Sequence, residues 1–314
     1  MTILTSIKSH GTVDAKPAAV YGSGSKTLRI GNGGAGATGL IEALAYDYIR
    51  TRDPDSQIQW ICNHSRNTQL ALLDRFIDIA LTYERDQELI SLSEGWAKSA
   101  GCIFNDHFVL AGPTDDPAGI HSCKMLSEAL AHIAQKQCLF HSRADSSATM
   151  FKERQLWAAT GLGPWEHEST WYKTSLVGPA EALIQADKQG TYLLTDRSTL
   201  LRQTGLGNIK NLTVFFEPTQ PGDVLMNACH ALYSSLVTPE QRVKVDSFLS
   251  YLLSKDGQQI ISTYGEDTAG LPLFASVKDG FAKTSLVGGR PLPNVQTTSY
   301  NGFNDASRYY WGRS

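Results

Sequence analysis

The stretch from Phe140 to Thr149 (Phe-His-Ser-Arg-Ala-Asp-Ser-Ser-Ala-Thr) sets one arginine beside a run of small hydroxyl residues, just ahead of a helix-like segment. A helix start offers unpaired backbone N–H groups and the positive end of the macrodipole. With Arg143, Ser146, Ser147 and Thr149 beside them, these groups are the parts of an oxyanion cradle. A second arginine, Arg197, stands in Thr-Asp-Arg-Ser-Thr (195–199), right after a strand-like run from Gly190. Two arginines and several hydroxyls on loops that punctuate a β/α pattern point to a site for a small tetrahedral anion. Either loop alone is weak, because a Ser/Thr-rich helix start is also an ordinary N-cap and most arginines are solvated.

Gly31-Asn-Gly-Gly-Ala-Gly36 is formally the GxGxxG of a dinucleotide-binding turn, and the next strand leads to Arg66, which could meet a 2′-phosphate. Against that reading, no acid closes the second strand and no Tyr-x-x-x-Lys pair follows. Glycines also let a backbone approach a ligand that has no side-chain partner. Metal and nucleophile readings are weaker. The histidines are scattered, the five cysteines form no CxxC pair, and there is no Gly-x-Ser-x-Gly elbow. Neither a cofactor nor a metal site is expected, and the thiols are expected to be reduced and mostly buried.

These loops need a scaffold, and the chain's periodicity supplies one. Expected strands cover Thr27–Ile30, Gln57–Cys62, Ile77–Thr82, the apolar part of Phe104–Ala111, Gln137–Phe140, Val214–Glu217 and Val224–Leu236. Expected helices cover Gly39–Arg50, Leu70–Phe76, Ser127–Lys136, Met150–Ala159, Pro179–Lys188, Gly257–Tyr264 and Thr238–Ser254, the last with Val243, Val245, Phe248, Leu249 and Leu252 as its apolar set. This alternation predicts an α/β fold of mostly parallel sheets flanked by helices, with ligands at the carboxyl ends of strands. The Gly31–Thr38, Arg143 and Arg197 loops all occupy such ends.

At 314 residues the chain has room for two lobes, since domains run to roughly 100–200 residues. A net charge of −3 leaves no basic face for nucleic acid, and no apolar run is long enough to span a membrane. The first ten residues lack an apolar h-region, so the chain as given reads as cytoplasmic, or as extracytoplasmic with a leader removed. A monomer is expected.

Several passages, in order, resemble the bacterial tungstate-binding proteins, the substrate-binding components of ABC importers. They are Asn105–Gly119, Ser142–Thr149 with Lys152-Glu153, Tyr192–Thr199, Gly257–Ile261 and Leu271–Phe274, within residues 28–275. The resemblance implies the type II periplasmic binding protein fold: two lobes joined by two crossing strands, with an oxyanion clamped between them. Lobe one would comprise 26–110 plus 225–277 and lobe two 111–224, with an N-terminal arm at 1–25 and a C-terminal arm at 278–314. Arg143, Ser147, Thr149 and Arg197 match the family's anion ligands. Asn67 and Thr68 lie near a further family loop. The family's first loop carries threonines and serine, whereas this chain has Gly31-Asn32-Gly33-Gly34-Ala35, leaving Asn32, the Gly33 and Gly34 backbone and Thr38 as donors. An ABC permease would be the partner in an extracytoplasmic setting. Two rival readings remain. One is an enzyme on the same cleft, acting on a phosphate, sulfate or carboxylate through Asp145, Glu84 or His141. The other is a ligandless scaffold that binds protein through its C-terminal arm.

Overall fold

Leu28 and Ile30 point inward along a strand that ends at Gly31, and the first sheet is built around it. This computed structural model describes residues 5–9, 11–145, 147–220 and 222–280, with the backbone of 281–282, 286–287, 290–291 and 297–298. Ser146 and the rest of the expected C-terminal arm lie outside the described residues.

In chain order come β1 (Ala19–Tyr21), β2 (Lys26–Gly31), the one-turn α1 (Gly34–Ala37), α2 (Leu40–Thr51), β3 (Ser56–Ile61), α3 (Ser65–Leu73), β4 (Ile79–Thr82) and α4 (Arg85–Ser93). The long β5 (Ala97–Pro113) follows, then α5 (Leu126–Gln135), β6 (Phe140–Ser142), α6 (Ala148–Ala158), β7 (Tyr172–Thr174) and α7 (Pro179–Gln189). Next are β8 (Leu193–Asp196), α8 (Arg197–Gly205), β9 (Leu212–Phe216) and β10 (Met226–Ser234). The series closes with α9 (Pro239–Leu252), α10 (Lys255–Thr263), α11 (Glu266–Ala269) and β11 (Ala275–Ser276).

The first sheet runs β1-β3-β2-β4-β10-β5-β11. Its centre, β3-β2-β4, is parallel, while β1, β10 and β11 join antiparallel. At 17 residues β5 serves two sets of partners. Residues 97–107 pair with β10, and residues 108–113 pair with β8 and β9. The handover is marked by the Phe108 N–H, which donates to the Leu225 carbonyl at 2.7 Å. Beyond it, β6 lies parallel to β7 and is bridged through Phe140 to Tyr192.

Amphipathic helices cover both faces. On α2, Leu40, Ile41, Leu44, Ala45 and Tyr48 are buried, and they join Val245, Phe248, Leu249 and Leu252 of α9 in one core. Ile61, Leu70, Leu72, Ile77 and Trp96 fill the opposite face. A separate core beyond the handover holds Phe108, Leu110, Phe140, Trp157 and Tyr192. Each such side chain stabilises the fold by about 1.5–3 kcal/mol.

Several expectations are corrected. α3 begins at Ser65, well before Leu70, because Ser65, Asn67, Thr68 and Gln69 are polar yet buried. β6 begins where the expected strand ends, because the N–H groups of Lys136, Gln137 and Cys138 are spent closing α5. α4 falls where no helix is expected, and Ala19–Tyr21, read as part of a loose arm, pairs with β3. Val243 is 69% exposed and leaves the apolar set of α9. Of the five free thiols only Cys229 is buried, and Cys62 is exposed.

Candidate functional site

The arginine loop joins β6 to α6. Ser147 is the N-cap of α6 and accepts from the Met150 N–H, while Ala144 adopts a left-handed φ of 54° that turns the chain back on itself. The turn folds Asp145 onto its neighbours. Arg143 Nε donates to Asp145 Oδ2 at 2.9 Å, and Arg143 Nη2 donates to the same oxygen. On the other carboxylate oxygen, Oδ1, the Ser147 N–H donates at 3.0 Å and the Ser147 hydroxyl at 2.5 Å. Four donors therefore converge on one carboxylate, and charge-assisted bonds of this kind are the strong ones. Arg143 and these bonds hold the Asp145 carboxyl below its usual range, against the opposing effect of burial. Arg143, Ser147 and Thr149 are each buried to within 6% of complete.

The start of α3 meets this loop from the other strand group. His64, the N-cap of α3, is held below the ordinary imidazole range by burial, with Asp145 raising and Arg143 lowering it. Two residues on, the Arg66 guanidinium lies over the Phe151 ring of α6 at 4.4 Å and is ion-paired to Glu84. Glu153, deeper on α6, accepts from the Tyr172 hydroxyl at 2.7 Å, and burial pushes its carboxyl up to about 7.

The glycine loop follows β2. Asn32 is fully buried, with Nδ2 donating to the Leu81 carbonyl at 3.0 Å and Oδ1 accepting from the Gly36 N–H at 2.8 Å. Its amide thus ties the end of β2 to β4 and shapes α1. A Cβ on Gly36 would lie 2.1 Å from the Trp60 ring, whose Nε1 donates to the Asn32 carbonyl, so packing requires glycine there. A Cβ on Gly33 would come within 3.0 Å of the Asn63 carbonyl oxygen, whereas Gly34 faces open space. The Thr38 hydroxyl donates to the Ala35 carbonyl, and the Thr68 hydroxyl donates to Asn63. Both threonines are buried.

β8 passes into α8 without an intervening loop. Asp196 caps the helix by accepting from the Thr199 N–H, and Arg197 is its first residue. Arg197, 1% exposed, donates through Nη1 to the carbonyls of Pro272 and Leu273, at 2.7 and 3.0 Å. Burial pushes its guanidinium down, opposed by Asp106 and Glu217. Asp106 is buried, accepts from the Ser198 hydroxyl and N–H, and is raised by burial and by Asp196. The structure thus brings Arg143, Ser147 and the start of α3 together. The side chains of Asn32, Thr38, Thr68 and Arg197 are given to internal contacts. The sequence reading set His64 aside as a lone loop histidine and missed Ser65 and the helix start, because the apolar run that signals α3 begins at Leu70.

The groups named for an enzyme are also engaged. Asp145 and Glu84 lie in the ion pairs above, and His141 Nε2 shares a hydrogen bond of 2.7 Å with the Ser175 hydroxyl. Among the described residues, no helix is long and apolar enough to cross a membrane.

Residues 17–256 match the family model described as "PBP superfamily domain". Over 192 residues the chain is 32% identical to the "Putative ABC transporter anion-binding protein" of Haloferax volcanii, a match covering 60% of this chain and 54% of that protein. The chain thus spans about half the length of that relative. Over 251 residues it is 28% identical to the tungstate-binding protein TupA of Peptoclostridium acidaminophilum, covering 76% of this chain and 80% of that one. Among solved structures, that of the tungstate ABC transporter from Geobacter sulfurreducens matches with a TM-score of 0.62 at 25% identity, over 77% of this chain and all of that one. With one family model matching most of its length, and two strand groups that share β5, this chain belongs to the PBP superfamily and has its two-lobed α/β fold.

Proposed function

We propose that this chain is a binding protein, rather than an enzyme, for a small tetrahedral oxyanion of the tungstate or molybdate kind, held between the lobes. The observation that carries the reading is the convergence of Arg143 and Ser147 donors on one carboxylate, opposite the start of α3. Donors that already grip the two oxygens of Asp145 offer the positive charge and the N–H and O–H groups that a mineral oxyanion needs. The anion would share or displace that carboxylate. Thr149 and Ser146, on the same loop and first helical turn, belong to this reading. So do the Gly33 and Gly34 backbone and the first N–H groups of α3. Arg197 would act from behind, by holding the 272–273 segment.

The lobe limits of 26–110 with 225–277, and of 111–224, are part of the same reading, supported by the handover along β5 and the Phe108–Leu225 bond. The names of the relatives support an oxyanion as solute and, in an extracytoplasmic setting, an ABC permease as partner. Calorimetric titration of desalted protein with tungstate, molybdate, sulfate and phosphate tests the reading. Tight binding of one of them, with the others weaker, is expected. An absence of heat with all four, from folded protein, would overturn it.

A further inference from the structure

A second cluster of chemically capable side chains lies at the start of α5, on residues that the oxyanion reading does not use. Cys123 follows the 3-10 turn Ile120–Ser122, and Glu128 and His132 stand one turn apart on α5. One ligand atom from each of the three lies within 4.8 Å of the other two, and among the described residues they are the group of this kind that could hold an ion. We propose that Cys123, Glu128 and His132 form a site for a divalent transition-metal ion of the zinc class, with water as the fourth ligand.

Geometry carries the assignment. The Cys123 sulfur lies 3.5 Å from His132 Nδ1. Zinc bonds of about 2.3 Å to sulfur and about 2.0–2.1 Å to nitrogen, at a tetrahedral angle, place those two atoms about 3.5 Å apart. Glu128 and His132 are four residues apart on a ten-residue helix, so they share one face, as two ligands from one helix must. One Glu128 oxygen already accepts from the Lys124 N–H at 3.2 Å, which turns the carboxylate toward the Cys123 side. The donor set also decides the class of ion. Thiolate and imidazole favour zinc, cobalt or copper, whereas magnesium and calcium need oxygen ligands.

The site is half-sheltered, with Cys123 and His132 partly buried and Glu128 exposed, so an ion can enter without opening the core. A cysteine binds metal as the thiolate, so coordination by Cys123 would release its proton to solvent. A bound ion would pin the turn before α5 to the helix, in the same stretch of chain, 111–224, as the Arg143–Ser147 loop that leads into α6.

Cobalt(II) titration of chelator-treated full-length protein tests this, because a thiolate ligand adds a charge-transfer absorption that oxygen and nitrogen ligands do not give. The wild type should develop this band with one equivalent of cobalt, lose it to zinc, and gain thermal stability from zinc. Cys123→Ser should abolish the band, and His132→Gln should weaken metal affinity by at least about tenfold. Both variants should match the wild type's unfolding temperature in chelator. Cys62→Ser, at the exposed thiol, should leave the band unchanged. The proposal is overturned by no band in the wild type, by a band that survives Cys123→Ser, or by one that disappears with Cys62. Any of these would leave the Cys123–His132 contact as a thiol–imidazole hydrogen bond. Since neither the band nor the zinc effect depends on oxyanion binding, the two readings fail separately.

Discussion

Arg143 reaches Asp145 through Nε at 2.9 Å, so an anion entering the cleft meets an arginine that already carries a negative partner. Two effects then compete. Asp145 orients Arg143 and Ser147, which favours binding, and it repels the anion, which opposes it. At about 4 Å and an effective dielectric near 20, each pair of unit charges costs about 4 kcal/mol, and a dianion doubles the count. Repulsion therefore outweighs orientation, especially since asparagine keeps an acceptor for Ser147. Asp145→Asn should tighten oxyanion binding by about tenfold or more, read by titration calorimetry, whereas weaker binding would assign Asp145 to orientation. The two arginines should separate in the same way. Arg143→Ala should cost about 2–5 kcal/mol of binding, and it should also lower the melting temperature, because it leaves the largely buried Asp145 carboxylate without its partner. Arg197→Ala strips donors from the Pro272 and Leu273 carbonyls and should cost roughly 2–4 kcal/mol of stability instead. Equal losses of binding at unchanged stability would return Arg197 to the cleft.

At the scale of elements, α6 carries the anion donors at its tip and a buried acid, Glu153, behind them. That acid holds its proton to about pH 7 in the native state, whereas the unfolded chain releases it near 4.5. Between those values the native state binds more protons, so this group lowers stability as pH rises. Glu153→Gln should flatten that slope, and should be more stable than the wild type at about pH 8 by roughly 1–3 kcal/mol, checked by denaturant melts across the pH range. The β2–α1 turn makes a steric prediction. Gly36→Ala would drive a methyl into the Trp60 ring and should cost about 1–3 kcal/mol in denaturant midpoint, whereas Gly34→Ala, facing open space, should cost much less. Elements with strong periodicity, such as α2 and α9, were legible in the sequence, as was the body of α6, although that helix starts two residues earlier than the expected Met150. The first turn of α3 was not, because its inward residues Asn67, Thr68 and Gln69 are polar. Nor were the partners of Arg197, which lie 75 and 76 residues away and are backbone carbonyls that no side-chain motif reports.

Across the whole molecule, side-chain contacts join the two proposed lobes at two places. At one, Arg202 of α8 donates to the Thr38 carbonyl at 2.6 Å, and Tyr264 donates to the same oxygen. At the other, Phe151 sits beneath Arg66 beside the candidate cleft. Opening at that second place would break a cation–π contact of about 0.5–2 kcal/mol, a modest barrier to ligand exchange. The handover also has a consequence for how the chain is made. β4, with all four residues buried, pairs with β10 across the centre of the first sheet, so its edge is completed only when residues 226–234 arrive. At about 5–20 residues per second, a ribosome takes roughly 7–30 s to cover that interval. During that time the nascent chain holds an apolar strand with one bare edge, while the segment that becomes the second lobe emerges and folds. Biogenesis, rather than the finished protein, is therefore when this architecture is most exposed to mispairing and most in need of a chaperone.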